Sequence, residues 1–145
     1  MVESVNISLV RRWFEEVWNQ RRTETIDELL DAEARCYDMT APDSIIIGQK
    51  AFRAAAEQLY GAFGKMHIAI EDIFDSGDKV AVRISVYLKH TGPLGGLAAT
   101  HREITVPGMC IIHLRNGKLI AGWNNWDIAS VLQVAKAPPD QRALF

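Results

Sequence analysis

The apolar residues of this chain change their spacing once, and that change sets what the chain can fold into. Up to Phe63 they recur at helical intervals; from His67 onward they alternate. Leu9, Val10, Trp13, Phe14, Val17 and Trp18 form one stripe, with Arg11, Arg12, Glu15, Glu16 and Gln20 turned outward, which predicts an amphipathic helix over 6–20. Thr25 and Glu28 have the spacing of a capping box, which starts a short second helix carrying Ile26, Leu29 and Leu30. Residues 33–43 read as a short strand or irregular crossing ended by the turn Ala41-Pro42-Asp43. A brief β-branched run over 44–47 ends at Gly48, and a third helix follows from about 49 to 63, with Phe52, Ala55, Ala56, Leu59, Tyr60 and Phe63 on one face.

Beyond Gly64 the pattern is that of strands. Segments 67–75 and 79–90 flank the turn Ser76-Gly77-Asp78, and in the second of them Val80, Val82, Ile84, Val86, Leu88 and His90 share a face. Segments 98–106 and 109–115 predict two more strands parted by Pro107-Gly108, a bulge or sharp bend. Asn116-Gly117 readily takes the positive φ values of a tight hairpin and opens a last strand. Strict alternation there puts Leu119, Ala121, Trp123, Asn125 and Asp127 on one face, and Ile120, Gly122, Asn124 and Trp126 on the other. A final helix is predicted from 128 to about 135. Helices first and antiparallel strands after predict an α+β fold: a cone-shaped, curved antiparallel sheet covered by the N-terminal helices, with a central pocket. The expected domain is 1–137, with 138–145 a C-terminal tail beginning at Pro138-Pro139.

Charge narrows the partners. A net charge of -2, with no basic block longer than Arg11-Arg12 or Arg21-Arg22, offers no field for nucleic acid or an anionic membrane. No apolar run approaches the ~20 residues of a membrane span, and the first residues show no basic and apolar regions of a targeting segment. Cys36 and Cys110 fit no CxxC or Cys/His spacing and are expected to be reduced, buried thiols of a cytoplasmic protein. Thr91-Gly-Pro-Leu-Gly-Gly96 lacks the trailing Lys-Ser/Thr of a phosphate-binding loop and reads as a flexible connection or rim.

The residues suited to chemistry are few. Asp127, sharing a face with Leu119, Ala121 and Trp123, sits at the edge of an apolar surface where desolvation favours its protonated form, which makes it a candidate proton carrier. It also directly precedes a helix-like run, so it equally suits a helix cap. Trp13, Phe14 and Trp18 either line a pocket or belong to plain core; Tyr60, on a buried stripe, either meets a ligand or bonds internally. His90 extends an apolar row as a satisfied structural residue or as a polar anchor inside a pocket.

The chain resembles the SnoaL-like polyketide cyclase family, within the nuclear-transport-factor-2-like superfamily of α+β cones. The matching pieces run in order: the helix 9–19, Gly48 before a Phe-containing helix, the hairpin 75–83, His90-Thr-Gly followed by Gly95-Gly96, Asn116-Gly-Lys, and Trp123 with Asp127 four residues later. The similarity covers roughly 5–135. It implies an acid/base role for Asp127 in an intramolecular aldol ring closure without metal or cofactor, and gives His90 a part in binding or polarising the substrate's oxygens. Trp13, Tyr60, Trp123, Asn125 and His101 are then candidate substrate-binding residues for a hydrophobic, carbonyl-containing, polyketide-like small molecule. His101 stands where family members usually carry the glycine of a Pro-Thr-Gly-Arg segment, and suits either a pocket group or an exposed strand residue. The resemblance also implies a homodimer formed through the outer face of the sheet. The competing expectation is a non-catalytic ligand-binding or dimerisation module, since one scaffold serves both.

Overall fold

The computed structural model describes residues 3–41 and 43–128. Helix α1 (Val5–Trp13) starts where Ser4 accepts a hydrogen bond from the Ile7 amide at 3.2 Å. The predicted first helix does not stay α-helical; it widens into a π turn over Phe14–Asn19, with the Gln20 amide bonded to the Glu15 carbonyl five residues back. The wider turn keeps Trp13, Phe14, Val17 and Trp18 all buried. Asn19 then clamps the end of the turn to the sheet, donating to the Ile68 carbonyl at 3.0 Å and accepting from its amide at 2.7 Å.

Helix α2 (Glu24–Leu29) begins two residues earlier than expected, with Thr23 rather than Thr25 before its first turn, and the capping box does not form. Thr25 is instead fully buried, its hydroxyl donating to Glu16 at 2.8 Å. Glu16 also pairs with Arg12 at 2.5 Å and Arg22 at 3.5 Å, and the Arg12 guanidinium holds its carboxyl below the usual range.

The remaining elements are β1 (Leu30–Asp38), β2 (Ile45–Ile47), α3 (Gly48–Ala62), β3 (Phe63–Ser76), β4 (Lys79–His90), β5 (Glu103–Arg115) and β6 (Lys118–Asn125). They form one open six-stranded sheet in the order β2-β1-β6-β5-β4-β3. The fold is α+β, but the sheet is mixed rather than wholly antiparallel, because β1 runs parallel to β6. A parallel pair needs a long crossover, and everything from β2 to β5 supplies it. The core lies between α1, the π turn and α3 on one side and the inner residues Val80, Val82, Ile84, Val86, Val106 and Ile112 on the other.

Two strand expectations change. β5 passes through Pro107-Gly108 unbroken. Its partner β6 ends at Asn125, opposite Met109, so Pro107 lies where β5 pairs only with β4 and one edge is open, which is where a strand tolerates a residue without an amide hydrogen. Residues 98–102 lie outside the strand. In β6 the pairing jumps from Leu114↔Leu119 to His113↔Ala121, leaving Ile120 as the extra residue of a β-bulge. The expected final helix past Ile128, the tail and Pro42 lie outside the described residues. No helix among the described residues is long and apolar enough to cross a membrane.

Candidate active site

Between the helices and the inner face of the sheet lies a cavity of about 270 Å³. Trp13, Phe14 and Trp18 come to it from α1 and the π turn, Phe52, Ala56 and Leu59 from α3, and Ile112 and Leu119 from the sheet. Trp18 is the hub of the wall, edge-on to Phe52 at 5.9 Å and to Trp126 at 5.4 Å between ring centroids, while Trp13 meets Phe52 at 5.2 Å. Gly108 makes Trp126 possible. A Cβ at residue 108 would lie 2.8 Å from the Trp126 Cβ and 3.1 Å from Ile84, so only a residue without a side chain lets this indole close the wall.

The mouth is polar. Asp38, Thr40 and Ser44 are exposed there, and Asn124 and Asp127 are half-buried. Asp127 sits two residues past the end of β6, where a bond from the Ile128 amide to the Trp126 carbonyl at 2.9 Å tightens the chain around it. Asp127 and Trp13, both expected at the pocket, do line it.

Trp123 and Asn125 do not. They lie on the outer face, where Trp123 stacks on Tyr37 at 5.2 Å and meets His113 at 4.7 Å. The cause is the bulge: one extra residue resets the alternation, so Gly122, Asn124 and Trp126 turn inward in place of the residues expected there. Leu119-Ile120-Ala121 is apolar throughout and gives no local sign of it.

Three further expectations are corrected. Tyr60 does not line the cavity; its hydroxyl donates to the Val17 carbonyl and its ring lies under the Arg21 guanidinium, 5.1 Å away, so the internal bond holds. Burial pushes its phenol up. His101 is exposed, with φ +57°, and is not among the residues lining this cavity; its amide bonds to the His90 carbonyl at 2.8 Å, so its backbone closes the 91–100 loop and its side chain is left outside. His90 is 0% exposed and is not among the residues lining the cavity. Its Nδ1 lies 3.0 Å from the Thr100 hydroxyl and accepts from the Thr100 amide at 3.1 Å, and its ring packs on Phe63 at 5.5 Å. An acceptor role at Nδ1 puts the proton on Nε2.

Asp38, Asn124 and Trp126 were missed as cavity residues. Cys36 and Asp38, two apart on one strand, carry a period-two signal, but only once 30–38 is read as a single strand. Cys36 also lines the cavity, where burial pushes its thiol up to about 11. Burial takes the Cys110 thiol to about 12. Both therefore stay protonated and unreactive near neutral pH. Among the described residues no group of three or more His, Cys, Asp or Glu comes together as a metal site.

Solved structures share this architecture. A SnoaL-like protein from Jannaschia Sp. CCS1 superposes with a TM-score of 0.84 at 21% identity, over 96% of this chain and 99% of that one. TsrD from Streptomyces laurentii gives 0.77 at 20% identity, over 92% and 96%. In sequence, the chain is 28% identical over 117 residues to the aklanonic acid methyl ester cyclase DnrD of Streptomyces peucetius, covering 80% of each. The pattern of the SnoaL-like polyketide cyclase family matches residues 8–134, and the chain belongs to that family.

Proposed function

We propose that this protein is a cofactor-independent cyclase or isomerase-type enzyme acting on a hydrophobic, carbonyl-containing, polyketide-like small molecule, with Asp127 as its acid/base. One observation carries this: the Asp127 carboxylate lines the polar mouth of a cavity whose walls are apolar and aromatic. Such a wall binds the carbon skeleton while a few polar groups fix its orientation. Resemblance to a relative named as a methyl ester cyclase supports the same reaction class.

For an intramolecular aldol closure, Asp127 takes a proton from the carbon next to a carbonyl. The resulting enolate carbon attacks a second carbonyl carbon of the same molecule, forming a C–C bond and moving the carbonyl electron pair onto oxygen. Asp127 returns the proton to that oxygen, so the product carries a hydroxyl and the carboxylate is regenerated. Charge on the oxygens is met by donors at the mouth, the Asn124 amide and the Ser44 hydroxyl. His90 serves as a positioning residue, holding Thr100 and the 91–102 segment beneath the sheet end.

The chain works as a homodimer through the outer face. Ile45, Tyr37, Trp123, Ile111, Ala81 and Phe74, one from each strand, stand directly opposite one another and form a continuous apolar row across that face.

A cyclisation assay against enolisable polyketide-like compounds tests the catalytic role. Asp127→Asn keeps a cap-competent side chain but carries no exchangeable acid proton, and is expected to lose about 10²–10⁴-fold in kcat. Turnover unchanged in the variant overturns the acid/base role, and ligand binding without turnover in the native protein identifies a binding module instead.

A further inference from the structure

We propose that Asp38 determines what the cavity accepts: its carboxylate takes a hydrogen bond from a hydroxyl or amide N–H at the mouth end of the bound molecule, and disfavours molecules that end there in an anion. The proposal rests on the cavity being the ligand site, and deepens that assignment by giving the chemistry of the ligand's outer end.

The sheet register supplies the geometry. Asp38, Asn124, Cys110, Val82 and Ile73 are successive partners across five strands. Asp38 and Asn124 form the polar end of this row, and both line the cavity. Asp38 is exposed, and among the described residues its carboxylate bonds only within its own turn. Its Oδ1 accepts from the Thr40 amide at 2.8 Å and the Thr40 hydroxyl at 2.6 Å. These two bonds fix the carboxyl plane and leave Oδ2 as the acceptor for a ligand.

The charge balance sets the second half of the specificity. Asp38 and Asp127 both line the cavity, while none of the described residues lining it is Lys, Arg or His. An anionic group entering there meets the like charge of Asp38, with no cationic side chain among the described lining residues, in a partly enclosed space where water screens less than it does outside. A neutral donor meets an acceptor already held in place.

Three probes of one shape separate these effects: 2-naphthol offers a donor, 2-methoxynaphthalene does not, and 2-naphthoate is an anion. Their dissociation constants with the native protein, Asp38→Ala and Asp38→Asn are measured by protein NMR titration, following the indole signals of Trp13, Trp18 and Trp126. In the native protein 2-naphthol is expected to bind about tenfold more tightly than 2-methoxynaphthalene, the ratio one good hydrogen bond gives, with 2-naphthoate weakest. Asp38→Ala brings the first two together. Asp38→Asn keeps the Thr40 bonds but presents an NH₂ where Oδ2 stood, so 2-naphthoate gains about tenfold relative to 2-naphthol. Identical ratios in all three proteins overturn the role of Asp38 alone. Failure of every probe to shift the three tryptophans overturns the cavity as ligand site, and this proposal with it.

Discussion

The two faces of this sheet are both apolar at their centre, yet they are handled in opposite ways. On the inner face Ile46, Cys36, Gly122, Ile112 and Val80 form one row, and the helices close over it, leaving a void with carboxylates at its mouth. On the outer face the parallel row through Trp123 and Ile111 has no covering element among the described residues, where Phe74 and Met109 are each 63% exposed. Hydrophobicity alone does not separate a pocket from an interface. What separates them is where the polar groups converge: the inner face ends in Asp38, Asn124 and Asp127, whereas the outer row stays apolar from edge to edge. An exposed apolar stretch of that extent is the kind of surface through which proteins commonly meet other molecules.

Two tryptophans on opposite faces should respond very differently to the same change. Trp18→Ala empties the hub of the inner wall and is expected to cost about 3–5 kcal/mol in denaturant unfolding. Trp123→Ala removes a stacked cross-strand neighbour from a half-covered face and is expected to cost only about 1 kcal/mol. Equal losses would mean that the two faces are packed alike. Next in size, Phe74→Lys combined with Ile111→Lys places charge on the outer row. Sedimentation is expected to show a dimer becoming a monomer, with cavity binding retained; a native protein that is already monomeric contradicts the interface.

A smaller effect, that of pH, reports how dry the inner face is. Burial raises the folded-state values of Cys36 to about 11 and Cys110 to about 12, from an ordinary 9.0. A group whose folded value is raised stabilises the fold fully below its unfolded value, and that contribution is lost as the pH climbs through the folded one. Unfolding free energy is therefore expected to fall from about pH 9 toward pH 11, and Cys110→Ala should flatten the slope. A slope unchanged in that variant would show that the thiol is not desolvated in solution.

Most of the fold was legible because its periods are long and regular. The helical stripe through Trp13 and Trp18, the alternation from Val80 to His90 and the Asn116-Gly117 turn, with φ +53° and +76°, need only local rules. What failed depended on partners distant in sequence. The bulge at Ile120 arises from how β6 meets β5, and one unseen residue moved Trp123 and Asn125 to the wrong face. Thr25 traded an expected cap for Glu16, nine residues earlier. Asp127 at the pocket was legible through the family resemblance and not through alternation, which grouped it with Trp123 and Asn125; Asp38 was not legible, because its strand carries the irregular burial of a parallel partner.

The most direct measurement is hydrogen exchange at carbon. A soluble enolisable diketone with no second electrophilic carbonyl in reach is incubated in D₂O with the native protein and with Asp127→Asn, and loss of its α-proton signal is followed by NMR. The account predicts exchange well above the buffer rate for the native protein, and a rate near that of buffer for the variant. Equal exchange by both proteins would contradict it, because the base would then lie elsewhere than Asp127.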